Sequence, residues 1–316
     1  MTKKRLFTLW LLLIAAAAPV AAQTAMTTEN VTVTGTRRAF HAFAQSFVSP
    51  TAVTGKIARW EHGICPIVAG QNEKYARFIS QHLQYVALAV GAPVNKDASC
   101  KPNIEIVFTT TPQDLLDAVA KDDQHYLGYF ESVAQKKALA TVTRPIQAWY
   151  ATESTDLRGM ARLDTGRSVV GGTTVGNFNA LTVPLGDQVQ NASANLTDMP
   201  AFFHVTGDRL NDGVHTGFRH VLIVIDSAKL AGQDIVPLAD YISLLALSQL
   251  APNACQDLPS IANRMAPDCR HEAPDSLTQY DLAYLEGLYH MASGRPMMVQ
   301  LSEIGDLMTD KLEKAR

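Results

Sequence analysis

Residues 236–251 read VPLADYISLLALSQLA, and Val236, Leu238, Tyr241, Ile242, Leu244, Leu245, Leu247 and Leu250 point in nearly every direction around a helix of 3.6 residues per turn. A helix apolar on all sides cannot lie on a surface; other elements must cover it all round. Pro252-Asn253 ends it. The fold must therefore be built about this helix, and the rest of the chain must supply the cover. Just upstream, FRHVLIVID (218–226) is a short, strongly apolar run that reads as a buried strand.

The other segments divide into helices and strands. In 72–93, Tyr75, Phe78, Ile79, His82, Leu83, Val86 and Val90 keep the three- and four-residue spacing of an amphipathic helix, stopped by Gly91 and Pro93. In 102–110, Ile104, Ile106 and Phe108 alternate as on one face of a strand. Pro112 opens a helix over 112–120. GKIARWEHGIC (55–65), HYLGYF (125–130) and IQAWYATES (146–154) read as strands. SLTQYDLAYLEGLYHM (276–291) reads as a helix with Ser276 at its N-cap, and 304–312 as a short amphipathic segment. Residues 151–216 are rich in Gly, Asn and Thr with no lasting period. These readings predict an α+β fold: one domain over 55–316, a mixed sheet packed on long helices, with a loop-rich insertion at 151–216.

The beginning of the chain reads as an export signal. Lys3, Lys4 and Arg5 precede an apolar run from Leu6 to Ala18, and Val20-Ala21-Ala22 offers small residues for cleavage. That run is short of the about 20 residues a membrane span needs. Residues 1–22 are thus expected to leave as a signal peptide, and no later stretch is apolar enough to span a membrane. Removing three cations takes the formal charge from −3 to −6, and no basic cluster remains, which argues against a nucleic-acid partner. The four cysteines, Cys65, Cys100, Cys255 and Cys269, are an even set in an exported chain and read as disulfides. Neighbourhood favours Cys65–Cys100 and Cys255–Cys269. A four-cysteine zinc site would need a C-x2-C pair, which is absent. The expected compartment is the periplasm or the medium.

Residues 23–54 read as an N-terminal arm. Within it VTVTGTR (31–37) alternates valine and threonine and predicts a strand. It also resembles the short extended box near the mature N-terminus of TonB-dependent outer-membrane receptors, although no barrel-sized chain follows.

ISLLALSQLAP (242–252), LPSI (258–261) and LTQYDLAYLEGLY (277–289), in that order after a buried strand, resemble the core of metzincin-type zinc peptidases. Leu277, Thr278, Asp281, Leu285, Leu288 and Tyr289 match the pattern of that core's last helix. The chain is also similar to uncharacterised proteobacterial secreted proteins whose peptidase-like core has lost zinc ligands. The resemblance implies a metzincin-like sheet on long helices, and Asp281 as a cap or hydrogen-bonding partner of the preceding turn. It also implies a cleft in which an extended peptide would lie against a sheet edge.

The departures decide the function expected. Zinc hydrolysis on this frame needs two histidines at i and i+4 with a glutamate beside the bound water. No H-E-x-x-H occurs, and the helix offers only Asp240 among metal-competent side chains. There is no G-x-S-x-G elbow and no phosphate loop. The chain is therefore read as a non-catalytic peptidase-like protein, without cofactor, that binds a protein or peptide whose identity is unknown. The alternative is a metal-dependent hydrolase, with zinc held by His204, His215 and His220 and a carboxylate such as Asp208 or Asp226. Against it, a five-residue spacing between His215 and His220 fits no regular helix or strand face.

Overall fold

The computed structural model describes residues 24–97, 99–164, 168–170, 173–175, 211–251, 255–266 and 268–314. The signal-like segment 1–22, His204 and Asp208 lie outside them. Contacts divide the chain into Met1–Thr36 and Arg37–Arg316, and the sheet with its core belongs to the second unit.

Five strands form one sheet. In spatial order they are β1 (Pro66–Ala69), β2 (Ile104–Thr109), β7 (His215–Asp226), β3 (Ile146–Thr155) and β4 (Ala161–Asp164). β1, β2 and β7 run parallel; β3 is antiparallel to β7, and β4 to β3. A separate hairpin joins β5 (Ser168–Val170) to β6 (Thr173–Val175). Helix α2 (Glu73–Ala89) makes the crossover between β1 and β2, as parallel neighbours require. The Cys65–Cys100 disulfide ties the start of β1 to the loop before β2, and Cys255–Cys269 closes the loop after the central helix. These are the two pairings expected, and they fit an exported protein. Among the described residues no helix is long and apolar enough to cross a membrane.

The two faces of the sheet are covered unequally. On one, Ile104, Ile106, Val221, Ile223, Ile225 and Ile146 pack into the main core with α1 (Thr24–Phe47), α2, α5 (Ile235–Leu247), α6 (Gln279–His290) and α7 (Met297–Lys314). On the other, Trp149, Leu222 and Val224 meet Leu116 of α3 (Pro112–Asp122) and Leu127. The short α4 (Val133–Leu139) follows on that side, where the Trp149 Nε1–H donates to Leu139 O.

Helix α5 is the central helix expected, with every residue from Ala239 to Leu247 buried. A helix end so placed must find partners for its last carbonyls within the protein. Three aromatic side chains supply them. The Tyr150 hydroxyl donates to Leu245 O (2.9 Å) and Ser248 O (3.1 Å), Trp60 Nε1–H to Ala246 O (2.7 Å), and the Tyr289 hydroxyl to Leu247 O (2.8 Å). Ser243 and Ser248 return their hydroxyls to carbonyls four residues back. Burial of these phenols raises the pKa values of Tyr150 and Tyr289 well above the usual range.

Four local readings are corrected. Residues 31–37 lie in a helix, not a strand: α1 runs from Thr24 to Phe47. Its decisive signal is Phe40, Phe43 and Phe47 at helical spacing, all buried in the main core, which outweighs seven residues of valine–threonine alternation. The core thus reaches back into the segment read as an arm. HYLGYF forms a 3-10 turn over Gln124–Leu127, ended by Gly128 at φ +81°, and not a strand. Residues 55–65 form isolated bridges and not a strand: Arg59 pairs with Gly217 of β7, Ile64 pairs with Val94 outside the sheet, and neither extends into a ladder. Helix α6 is capped by Thr278 in place of Ser276.

Asp281 does what the resemblance implied. Its carboxylate is fully buried and accepts from Ser260 Oγ (2.5 Å), Ile261 N (3.1 Å), Thr278 N (2.9 Å) and Thr278 Oγ1 (2.9 Å). The Thr278 hydroxyl accepts in return from Asp281 N, closing a capping box. One side chain thereby caps α6 and pins the 3-10 turn Ile261–Arg264.

Candidate functional site: a cleft along an open strand edge

β3 is ten residues long and β4 only four, so their pairing covers Thr152–Thr155, and among the described residues no strand pairs with the first half of that β3 edge. The direction of its backbone groups follows from the ladder. Asp226 N–H donates to Pro145 O, which places Pro145 in a hydrogen-bonded pair with β7. In an antiparallel strand such pairs alternate, so Gln147 and Trp149 also face β7. The backbone N–H and C=O groups of Ile146 and Ala148, and the N–H of Tyr150, face the other way and have no partner among the described residues. At the far end, Gly128 comes up against Tyr150 O. A Cβ on residue 128 would lie 2.5 Å from that oxygen, and φ is +81°, so only glycine fits there.

A cleft of about 340 Å³ runs beside this edge. Tyr241, Leu245 and Gln249 form one wall, four residues apart along α5 and its C-terminal extension. Leu127, Tyr129 and Leu139 line the side beyond the sheet, Met265 and Ala262 come from the crosslinked loop, and Ser49–Ala52 close another side. That last segment is fixed by main-chain bonds from Ser49 N to Gln249 O and from Ala251 N to Phe47 O. The lining is mostly apolar, with Arg144 and Thr143 near the start of β3. The Tyr241 side chain is 5% exposed, and burial pushes its phenol up to about 12 while the nearby Arg144 cation opposes the shift.

The histidines singled out in the sequence lie elsewhere. Arg219 has no partner in β3, a β-bulge between the pairs Phe218–Thr152 and His220–Ala151. The bulge places His215 and His220 on one face after all, which the spacing alone did not suggest. Their β3 partners, Thr155 and Ala151, are four residues apart, roughly 13 Å along the strand. One zinc ion, with ligands near 2 Å, does not reach both. His215 Nδ1 is 2.6 Å from Glu61 Oε1, and that bond raises its pKa against the opposing effect of burial. His220 is buried beside Tyr126, with Nε2 3.3 Å from Glu105 but neither ring nitrogen in hydrogen-bond geometry; desolvation lowers its pKa. Asp226 sits at the opposite end of β7 and accepts from Ala228 N and Lys229 N. Asp240, the one metal-competent residue of the central helix, is held by His82 Nε2 (2.5 Å) and Leu277 N (3.1 Å). Among the described residues no three His, Cys, Asp or Glu side chains are placed to share a metal ion.

The resemblance implied a cleft beside a sheet edge, but sequence reading placed none of its residues. Tyr241 and Leu245 look like core residues in an all-apolar helix, and nothing local marks β3 as longer than its neighbour. The Arg144-Pro145 step before the strand was the one available sign. Comparisons with protein-family models, curated proteins and solved structures find no match to this chain.

Proposed function

We propose that the protein is an exported, non-catalytic protein with a metzincin-like core, and that it binds an extended segment of a protein or peptide as an added strand on β3. The observation that carries this reading is the open edge from Ile146 to Tyr150, facing an apolar cleft. Unpaired backbone donors and acceptors beside apolar walls are what strand addition uses: main-chain bonds give affinity, and alternate side chains enter pockets. An edge of five residues spans about 16 Å, the length of a short peptide strand. The order of elements from β1 to α6 supports the peptidase-like part of the reading: strand, long helix, strands, buried strand, central helix, crosslinked loop and the capped helix α6, with α7 following. The non-catalytic part of the reading follows from the sequence: no H-E-x-x-H occurs, and among Asp240, Ser243, Ser248 and Gln249 on and after the central helix only Asp240 is a good metal ligand.

Ala148→Pro tests the proposal. Proline removes the one N–H of that residue, which faces the cleft, and leaves the Gln147 and Trp149 bonds to β7 in place, so the strand persists as proline-bearing edges do. The probe is a panel of dye-labelled six-residue valine–threonine peptides, read by fluorescence anisotropy. Each main-chain bond contributes about 0.5–1.5 kcal/mol, so losing one and obstructing its neighbours should weaken binding about tenfold or more. Binding unchanged in a folded Ala148→Pro protein would refute strand addition at this edge.

A further inference from the structure

His220 leaves both of its ring nitrogens, Nδ1 and Nε2, buried without a hydrogen-bond partner, and the residue is only 8% exposed. A neutral imidazole has one donor and one acceptor to satisfy, so the folded chain carries a cost here that an apolar side chain would not. A metal shared with His215 does not account for the ring, since the strand holds the two too far apart. The neighbours of the ring are of mixed sign. Glu105 of β2, with Oε1 3.3 Å from Nε2, favours the charged ring; burial and a protonated His125 oppose it. Ala151 stands opposite on β3, and the exposed Arg219 of the bulge precedes His220 in the chain. The Tyr126 ring leans on the imidazole, with centroids 4.2 Å apart, and Glu105 and Asp123 act on its phenol as well.

Tyr126 belongs to the 3-10 turn Gln124–Leu127, and that turn leads into a wall of the cleft. Tyr126 N–H donates to Asp123 O (3.0 Å) and Gly128 N–H to His125 O (3.3 Å). Leu127, Gly128 and Tyr129 line the cleft, with Gly128 seated against Tyr150 O. We infer that His220 is a proton-operated latch on this wall: the neutral ring holds Tyr126 and the turn in place, and protonation releases them. The consequence, that acid loosens the grip on a peptide, rests on the strand-addition reading above. Both ring nitrogens are closed to water, so a proton reaches them only when their cover moves. Once charged, the ring gains more from water than from Glu105, because burial outweighs that carboxylate. Desolvation lowers the His220 pKa, so the closed wall is held in full above the ordinary 6.5 and weakens as pH falls from there through the folded value.

The test uses the mature chain as wild type, His220→Phe and Glu105→Gln. Residue-resolved hydrogen exchange at the Tyr126 and Gly128 amides, expressed as protection factors, reads the turn at about pH 7.5 and about pH 5. Anisotropy with the valine–threonine peptides reads the cleft at the same two values, and NMR of the His220 ring reads its titration. In wild type, protection of both amides and peptide affinity should fall severalfold at the acid value, with a His220 midpoint below 6.5. His220→Phe keeps a ring under Tyr126 and has no proton to take up, so it should show neither loss. Glu105→Gln removes the anion that favours the charged ring, so its losses should be at least as large as those of wild type. Wild-type protection that is equal at both values, or an equal loss in His220→Phe, overturns the latch. If His220→Phe does not fold, wild type decides alone: a ring that titrates at 6.5 or above, or at a midpoint unlike that of the Gly128 amide shift, overturns it too. A loss of protection with peptide affinity unchanged overturns the link to the cleft. Binding of no peptide at either value removes the strand-addition reading, and the exchange results still decide the latch.

Discussion

Replacing Asp281 by alanine and by asparagine separates what its carboxylate accepts from what its charge costs. In Asp281→Ala the N–H groups of Ile261 and Thr278 and the Ser260 hydroxyl lose their partner inside the core. A buried donor left unpaired costs about 1–3 kcal/mol, and the Thr278 hydroxyl escapes that cost because it also reaches Pro259 O. Relief from burying a carboxylate offsets part of the loss, which leaves an expected destabilisation of about 3–4 kcal/mol. Asparagine keeps one acceptor oxygen where Oδ2 takes three of the four bonds, and its amide can donate to the Ser260 hydroxyl. Asp281→Asn should therefore cost only about 1 kcal/mol. The pH dependence has a definite sign. Burial raises the Asp281 pKa above the usual 3.8, so the folded chain holds this proton more tightly than the unfolded one. Its contribution is fully present below 3.8 and is lost as pH rises through the folded value. Wild type should accordingly lose stability relative to Asp281→Asn over that window. Urea unfolding of the three proteins from pH 4 to 8 measures all of this. Equal destabilisation by alanine and asparagine would refute the assignment of Asp281 as an acceptor for both the turn and the cap.

Two further outcomes concern single sites. Phe47→Ala removes a fully buried ring stacked on Phe43 (centroids 4.8 Å apart) and edge-on to Tyr284 (4.6 Å), and should cost about 3–5 kcal/mol in chemical denaturation; unchanged stability would mean that α1 is a dispensable arm. Glu61→Gln removes the partner that raises His215, a contribution present below pH 6.5 and lost as pH rises through the folded value. The stability gap between wild type and Glu61→Gln should thus be widest near pH 6 and narrow toward pH 9, and a gap independent of pH would contradict the pairing.

What the sequence disclosed tracks the range over which each feature is determined. The central helix, the β7 strand and α2 were legible because each rests on periodicity; the capping role of Asp281 came only through the resemblance, and the N-cap itself was placed at Ser276, two residues before Thr278. The two disulfides were legible because each pair shares a neighbourhood. The N-terminal helix was misread because the valine–threonine alternation lies in the segment while its aromatic anchors, Phe40, Phe43 and Phe47, begin just beyond it. The place of the cleft was not legible; the resemblance implied only that a cleft lies along some sheet edge. Its place depends on the mismatch between a ten-residue and a four-residue strand, on the bulge at Arg219, and on Gly128 approaching Tyr150 from a different element. None of these has a local signature; each is a consequence of register.

The most direct measurement is residue-resolved amide hydrogen exchange along β3, with and without a saturating peptide of the panel. Gln147 and Trp149 face β7 and should be protected in both states. Ile146, Ala148 and Tyr150 face the cleft and should exchange fast in the free protein, then become protected when the peptide binds. Protection of the even-numbered amides before any peptide is added, or continued fast exchange once peptide is bound, would contradict the claim that this edge receives an added strand.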